Sequence, residues 1–122
     1  MDSLELAKLC AAVAIDKKCE DILLLDVEKR TPFADYFLVA TARNRRQLRA
    51  VAEGIAAEVK KTGRKTSRVE GAGTDRWVLL DLGDVVVHVF DSEARSFYDL
   101  ESLWADAPRV ALTTRKAAKQ PE

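Results

Sequence analysis

Two β-rich runs, RWVLLD ending at Asp81 and DVVVHVF ending at Phe90, are separated only by Leu82 and Gly83. A connection that short cannot carry a parallel crossover, and it forces an antiparallel hairpin. The rest of the chain must supply the layers around it. At 122 residues, 48% of them hydrophobic, the sequence fits one domain whose core needs neither a disulfide framework nor a structural metal.

Upstream of the hairpin, Leu4, Leu6, Ala7, Leu9, Cys10, Val13, Ala14 and Ile15 recur at helical spacing, which predicts a helix to about Lys18. Asp2 followed by Glu5 reads as its capping box. DILLLDV (Asp21–Val27) is too short for a stable helix and predicts a strand, closed by a turn around Pro32. DYFLVAT (Asp35–Thr41) predicts a second strand, packed on both faces. Asn44 then caps a helix from about Arg45 to Lys61, with Leu48, Val51, Ala52, Ile55, Ala56 and Val59 as its apolar stripe. A short strand near Ser67–Glu70 completes a predicted βαβ unit. After the hairpin, Ser92–Trp104 reads as one helix with Ala94, Phe97, Leu100, Leu103 and Trp104 on a common face. The fold class is therefore α/β: one domain over residues 1–105, a mixed sheet of about five strands with helices packed on it, and a flexible tail over 106–122 that contains Pro108, Pro121 and no sustained apolar period.

Charge narrows the functional classes. Twenty Lys and Arg balance twenty Asp and Glu, so no global positive field holds the molecule on nucleic acid. The N-terminal stretch lacks the apolar run of a signal peptide and the Arg-rich character of a transit peptide, and charges interrupt every hydrophobic run well before the ~20 residues of a membrane span. A soluble cytoplasmic protein is expected. Cys10 and Cys19 have no CxxC spacing and no second pair, so they read as reduced thiols and no zinc site is expected.

Four groups of residues invite a chemical reading, and each has a plainer one. Asp26 and Glu28, two apart on a strand, would project from one face as a metal-dependent phosphoryl-transfer site requires. Lys17-Lys18-Cys19-Glu20 precedes them in place of a Gly-Ser phosphate cradle, however, and solvated carboxylates at a strand end are the plainer account. His88 is the only histidine: it is a hydrogen-bonded structural residue or a binding residue, with no recognisable nucleophile beside it. Arg43, Arg45, Arg46 and Arg49 cluster at a helix start, where they oppose the macrodipole. They form a solvated charged face or meet an anionic partner. Trp77, at the start of the hairpin, shares a face with Leu79 and Asp81 and serves either the core or a partner; Tyr98 and Trp104 pose the same choice.

The order of motifs is more specific than any one of them: DILLLDV, ADYFLVATARNRRQLRAVAE, VEG, WVLLDLGDVVVHVF and YDLESLW follow one another from about Asp21 to Trp104. In this the chain resembles the Iojap family, the bacterial ribosomal silencing factors called RsfS. The resemblance implies a nucleotidyltransferase-like fold without the catalytic motif, no cofactor, no bound metal and no enzymatic activity. It also implies a partner, ribosomal protein number fourteen of the large subunit, bound so that the small subunit cannot join and translation is damped when nutrients fall. Carried over onto this sequence, the family motif puts Trp77, Asp81, Gly83, Asp84, His88, Tyr98 and Leu100 at or near the binding face, with Glu70 and Gly71 supporting it. Ala42 and Arg43 depart from the Gly and small polar residue of many relatives. The resemblance allows a homodimer of free molecules. Zero net charge agrees with docking on a protein, with little direct RNA contact. The competing class is a divergent nucleotidyltransferase using Asp26 and Glu28 with a divalent metal.

Overall fold

The N-terminal apolar run winds into α1 (Ser3–Asp16) behind the expected capping box: the Glu5 N–H donates to Asp2 Oδ1 at 2.8 Å and the Asp2 N–H to Glu5 Oε1 at 3.0 Å. The helix stops two residues before Lys18, because Lys18 enters the left-handed region at φ 69°, and Lys18 and Cys19 donate back to Ile15 and Ala14 in a Schellman closure. The computed structural model describes residues 2–64, 68–70 and 76–112, with only the backbone of 68–70. The chain continues as β1 (Glu20–Asp26), β2 (Tyr36–Thr41), α2 (Arg45–Lys61, capped by Asn44), β3 (Arg68–Glu70), β4 (Trp77–Asp81), β5 (Val85–Phe90), α3 (Ser92–Tyr98) and α4 (Leu100–Leu103).

The five strands lie in the order β1-β2-β5-β4-β3. The hairpin forms as expected, with Leu82 donating to the Val85 carbonyl and Gly83 at φ 91°, a conformation glycine adopts without a Cβ clash. The expected βαβ unit is corrected in one respect. β2 and β3 run the same way but are not neighbours, because the hairpin fills the space between them and β5 makes the parallel pairing with β2. A three-residue β3 thus ends at the sheet's far edge, paired to β4 alone.

One sheet face is covered by α1 and α2. Leu6, Cys10 and Ala14 of α1 and Leu48, Val51, Ile55 and Val59 of α2 pack on Leu24, Leu38, Ala40, Val78, Leu80, Val85, Val87 and Val89. The two helices come close at Gly54, where a Cβ would stand 3.1 Å from Val13 Cγ1. The opposite face carries the other parity: Leu23 and Leu25 of β1, Phe37 and Val39 of β2, Val86, His88 and Phe90 of β5, and Trp77 and Leu79 of β4.

The single helix expected over Ser92–Trp104 is two. Asp99, at φ 47°, breaks it after seven residues, and the chain restarts as α4. The expected common face is broken with it: Ala94 is buried, whereas Phe97 is 80% and Leu103 74% exposed. The reversal brings Trp104 back onto the sheet, edge-on to Phe37 with ring centres 5.1 Å apart. The first part of the expected tail is also structured. Asp26 donates to the Pro108 carbonyl, Val110 donates to Leu24, and Ala107 is buried, so residues 107–110 close the free edge of β1. Residues 113–122 lie outside the described residues. Among those described, no helix is long and apolar enough to cross a membrane.

Candidate functional site

The face opposite α1 and α2 is only partly covered, and aromatic rings fill its centre. Phe90 is fully buried at the base. The half-buried Trp77 lies across it, near-parallel with ring centres 5.4 Å apart, and also stacks on His88 at 6.0 Å. Tyr98 leans on Trp77 at 4.9 Å, with half of its surface still exposed, and Phe97 stands edge-on to it. On the other side Phe37 meets His88 edge-on at 5.4 Å and joins it to Trp104. Leu100 packs against Val39, Phe90 and Ala94 at the margin.

His88 is 6% exposed, and burial pushes its pKa down to about 4, so the ring is neutral at physiological pH. The Trp77 indole Nε1–H donates to its Nδ1 at 3.4 Å. Trp77, which composition left undecided between core and partner, is packed along one part of its indole, and the rest reaches the surface.

α3 and α4 bury little apolar surface of their own, Ala94 in the one and no residue in the other. Arg95 anchors them instead. Its side chain is 13% exposed, and its guanidinium donates to the Asp21 carbonyl, to Thr41 Oγ1 at 2.7 Å and to Glu101 Oε2 at 3.1 Å. The Asp21 carbonyl is available because β1 bulges between Glu20 and Leu23, with Asp21 at φ 49°. Arg95→Leu removes this tie and leaves Glu101 partly buried without its counter-charge. The expected loss is about 2 kcal/mol of stability, below the range for a fully buried pair because Glu101 retains solvent contact. Urea unfolding checks it; a midpoint equal to that of the unsubstituted chain contradicts it.

The sequence pattern of the family described as "RsfS: Ribosomal silencing factor during starvation" matches residues 1–122. The chain belongs to the RsfS family. It is 45% identical over 112 residues to the ribosomal silencing factor RsfS of Bacillus subtilis, covering 92% of this chain and 95% of that protein. It is 34% identical to the chloroplastic protein Iojap of Arabidopsis thaliana, across 91% of this chain and 46% of that longer one. A crystal structure of a Chromobacterium violaceum protein superposes with a TM-score of 0.84 at 38% identity, covering 86% and 88% of the two chains.

The residues that the RsfS resemblance singles out fall into two groups on this face. Trp77, His88, Tyr98 and Leu100 meet in the aromatic centre. Asp81, Gly83 and Asp84 sit at the closed end of the hairpin, about 13 Å along β4 from Trp77 at the usual rise per residue. There Asp81 Oδ1 accepts from the Gly83 N–H at 2.9 Å, and Asp84 pairs with Arg64 at 3.3 Å. Arg64 also donates to the Leu82 carbonyl, so the segment after α2 braces the hairpin turn. Glu70 lies opposite Leu79 in the β3–β4 register, and Gly71 lies outside the described residues.

Two rings of the centre, Phe37 and Phe90, escaped sequence reasoning as site residues. Their signal was the strand parity they share with His88, which becomes usable only once β2 and β5 are known to pair in register. Arg45, Arg46 and Arg49 are not brought to this face, because they belong to the first turns of α2, which packs on the opposite side of the sheet, and Arg43 is exposed in the link from β2 to that helix. Arg45, Arg46 and Arg49 line a shallow groove there with Ala50 and Glu53.

Asp26 and Glu28 do not share a strand face as expected. β1 ends at Asp26, whose Oδ1 accepts from the Glu28 N–H at 3.1 Å to close a turn, and Glu28 is exposed within that turn. The described residues bring no three His, Cys, Asp or Glu side chains together as metal ligands. Burial raises the Cys10 thiol to about 12 and the Cys19 thiol to about 11, so neither forms appreciable thiolate at neutral pH.

Proposed function

We propose that this RsfS-family chain is a non-enzymatic ribosomal silencing factor. It docks its aromatic sheet face on a large-subunit ribosomal protein, number fourteen, blocks joining of the small subunit and so represses translation under nutrient limitation. Its place of action is the cytoplasm. The observation that carries this reading is the incompletely covered sheet face, on which half-buried Trp77 and Phe37 and exposed Tyr98 and Phe97 form a contiguous aromatic surface. Large rings partly packed and partly exposed are the residues that anchor protein interfaces. Asp81 and Asp84, at the other end of β4 from the Trp77 ring and with Asp84 already paired to Arg64, add carboxylates complementary to a basic partner such as a ribosomal protein.

The test is sedimentation of purified subunits. The chain is expected to travel with large subunits and to lower the yield of joined ribosomes when added before the small subunit. Equal binding to both subunits contradicts the reading. Because exclusion by bulk involves no chemistry, Asp26→Asn combined with Glu28→Gln should leave both effects unchanged, and their loss would support the nucleotidyltransferase alternative.

Salt provides a further prediction. The arginines of α2 lie away from the docking face and the chain is neutral overall, so few phosphates are neutralised on binding. The slope of log affinity against log salt should have a magnitude of about two or less. A steep slope would show direct contact with ribosomal RNA.

A further inference from the structure

The aromatic face contains a buried hydrogen-bond donor that the described residues leave unmatched. His88 lies on β5 directly between Val39 of β2 and Leu79 of β4, flanked diagonally by Phe37 and Trp77. A neutral imidazole carries one proton, on Nδ1 or on Nε2. Here the choice is set by a neighbour: the indole Nε1–H of Trp77 points at Nδ1, which must therefore be the acceptor. The proton falls on Nε2. That atom is buried and has no hydrogen-bond partner among the described residues. An unmatched donor in an apolar layer is costly to the free protein, and a partner that brings an acceptor to it recovers that cost on binding.

We infer that His88 Nε2–H is the specificity-determining donor of the docking face, and that the ribosomal protein meets it with an oxygen acceptor, a backbone carbonyl or a hydroxyl, borne on an apolar segment that enters between Phe37 and Trp77. This rests on the reading that the face docks on the large subunit. Phe37 and Trp77 are both half-buried, and they are the rings that must part for the oxygen to reach Nε2. A cationic side chain in the same place would be rejected, since it offers a second donor to a donor. The indole thereby has a use beyond its contact area, because it holds the histidine in the tautomer that turns its proton toward the partner.

Two substitutions separate this role from a purely internal one. Glutamine can place an amide N–H near the position of Nε2, whereas asparagine can place an acceptor near Nδ1 but reaches no further. His88→Gln is therefore expected to bind large subunits within about threefold of the unsubstituted chain, and His88→Asn at least tenfold more weakly, which is about 1.4 kcal/mol. If His88 only held Trp77, the order would reverse; asparagine binding as well as or better than glutamine overturns the inference while leaving the docking reading intact. Failure of the unsubstituted chain to bind large subunits overturns both. Should either variant not fold, the unsubstituted chain still decides. With one histidine in the sequence, the ring ¹⁵N resonances of the free protein report a single residue, expected to be neutral with its proton on Nε2 at pH 7. A proton on Nδ1 overturns the inference.

Discussion

Trp77→Ala is expected to weaken binding to large ribosomal subunits about thirtyfold or more and to lower stability by about 2 kcal/mol. The binding loss follows from the size of the indole and its place in the middle of the aromatic face, because truncating such central anchors commonly costs ~2 kcal/mol or more. The stability loss follows from what the indole touches within the molecule. It lies on Phe90 and His88, carries Tyr98 and donates to His88 Nδ1. A residue serving only a partner would leave the melting curve nearly unmoved, and the packing of Trp77 rules that out. The cost stays below the ~3–5 kcal/mol of a fully buried aromatic because the ring is only half-buried. Trp77→Phe separates the two effects: it retains most of the stacking but removes the indole donor, so stability should recover further than binding. Titration against subunits and urea unfolding on one preparation make the measurement. A Trp77→Ala chain that remains folded and binds normally would remove this residue from the interface.

The second large effect is on pH. His88 has a folded pKa of about 4 against an ordinary value of 6.5, caused by burial. Above pH 6.5 the ring is neutral in both states and contributes no pH dependence. Between about 6.5 and 4 the unfolded chain takes up a proton that the folded chain excludes, so stability falls as the pH is lowered through this window. The full loss is about 3 kcal/mol, reached near pH 4. Carboxylates add their own slope at the acidic end, so the comparison is with His88→Gln, which has nothing to titrate there. Unfolding free energies at pH 7.5, 6, 5 and 4.5 should converge for the two proteins as the pH falls, with the unsubstituted chain losing more. Parallel profiles would show that His88 reaches solvent readily and that the aromatic layer is looser than its packing indicates.

Much of the local structure was legible before any coordinate. The Leu82-Gly83 connection dictates the hairpin because only an antiparallel return fits so few residues. Asp2 and Asn44 announce helix starts because their side chains accept from the backbone N–H three positions on, and Glu5 accepts in return from the Asp2 N–H. Leu48, Val51, Ile55 and Val59 mark a buried helix face because their spacing follows the turn of the helix. RsfS family membership was also legible, since the order of motifs along a chain is a property of sequence.

The aromatic face was not legible as a surface, and the reason is the reach of the signals. Capping and periodicity act over a few residues, whereas Phe37, Trp77, His88 and Trp104 come from distant parts of the chain and meet only because β5 pairs parallel to β2 with Val39 opposite His88. That register is chosen by burial across the whole sheet, and a slip of one residue would turn His88 into the α1–α2 core. Tertiary structure likewise decided the break at Asp99, which returns Trp104 to Phe37, and the pairing of residues 107–110 with β1, whose ordering is supplied by an open strand edge and not by any periodicity of their own. Sequence determined which segments become helix and strand and which family they compose; the long-range register decided which side chains share a face, because only the folded sheet sets which strands are neighbours.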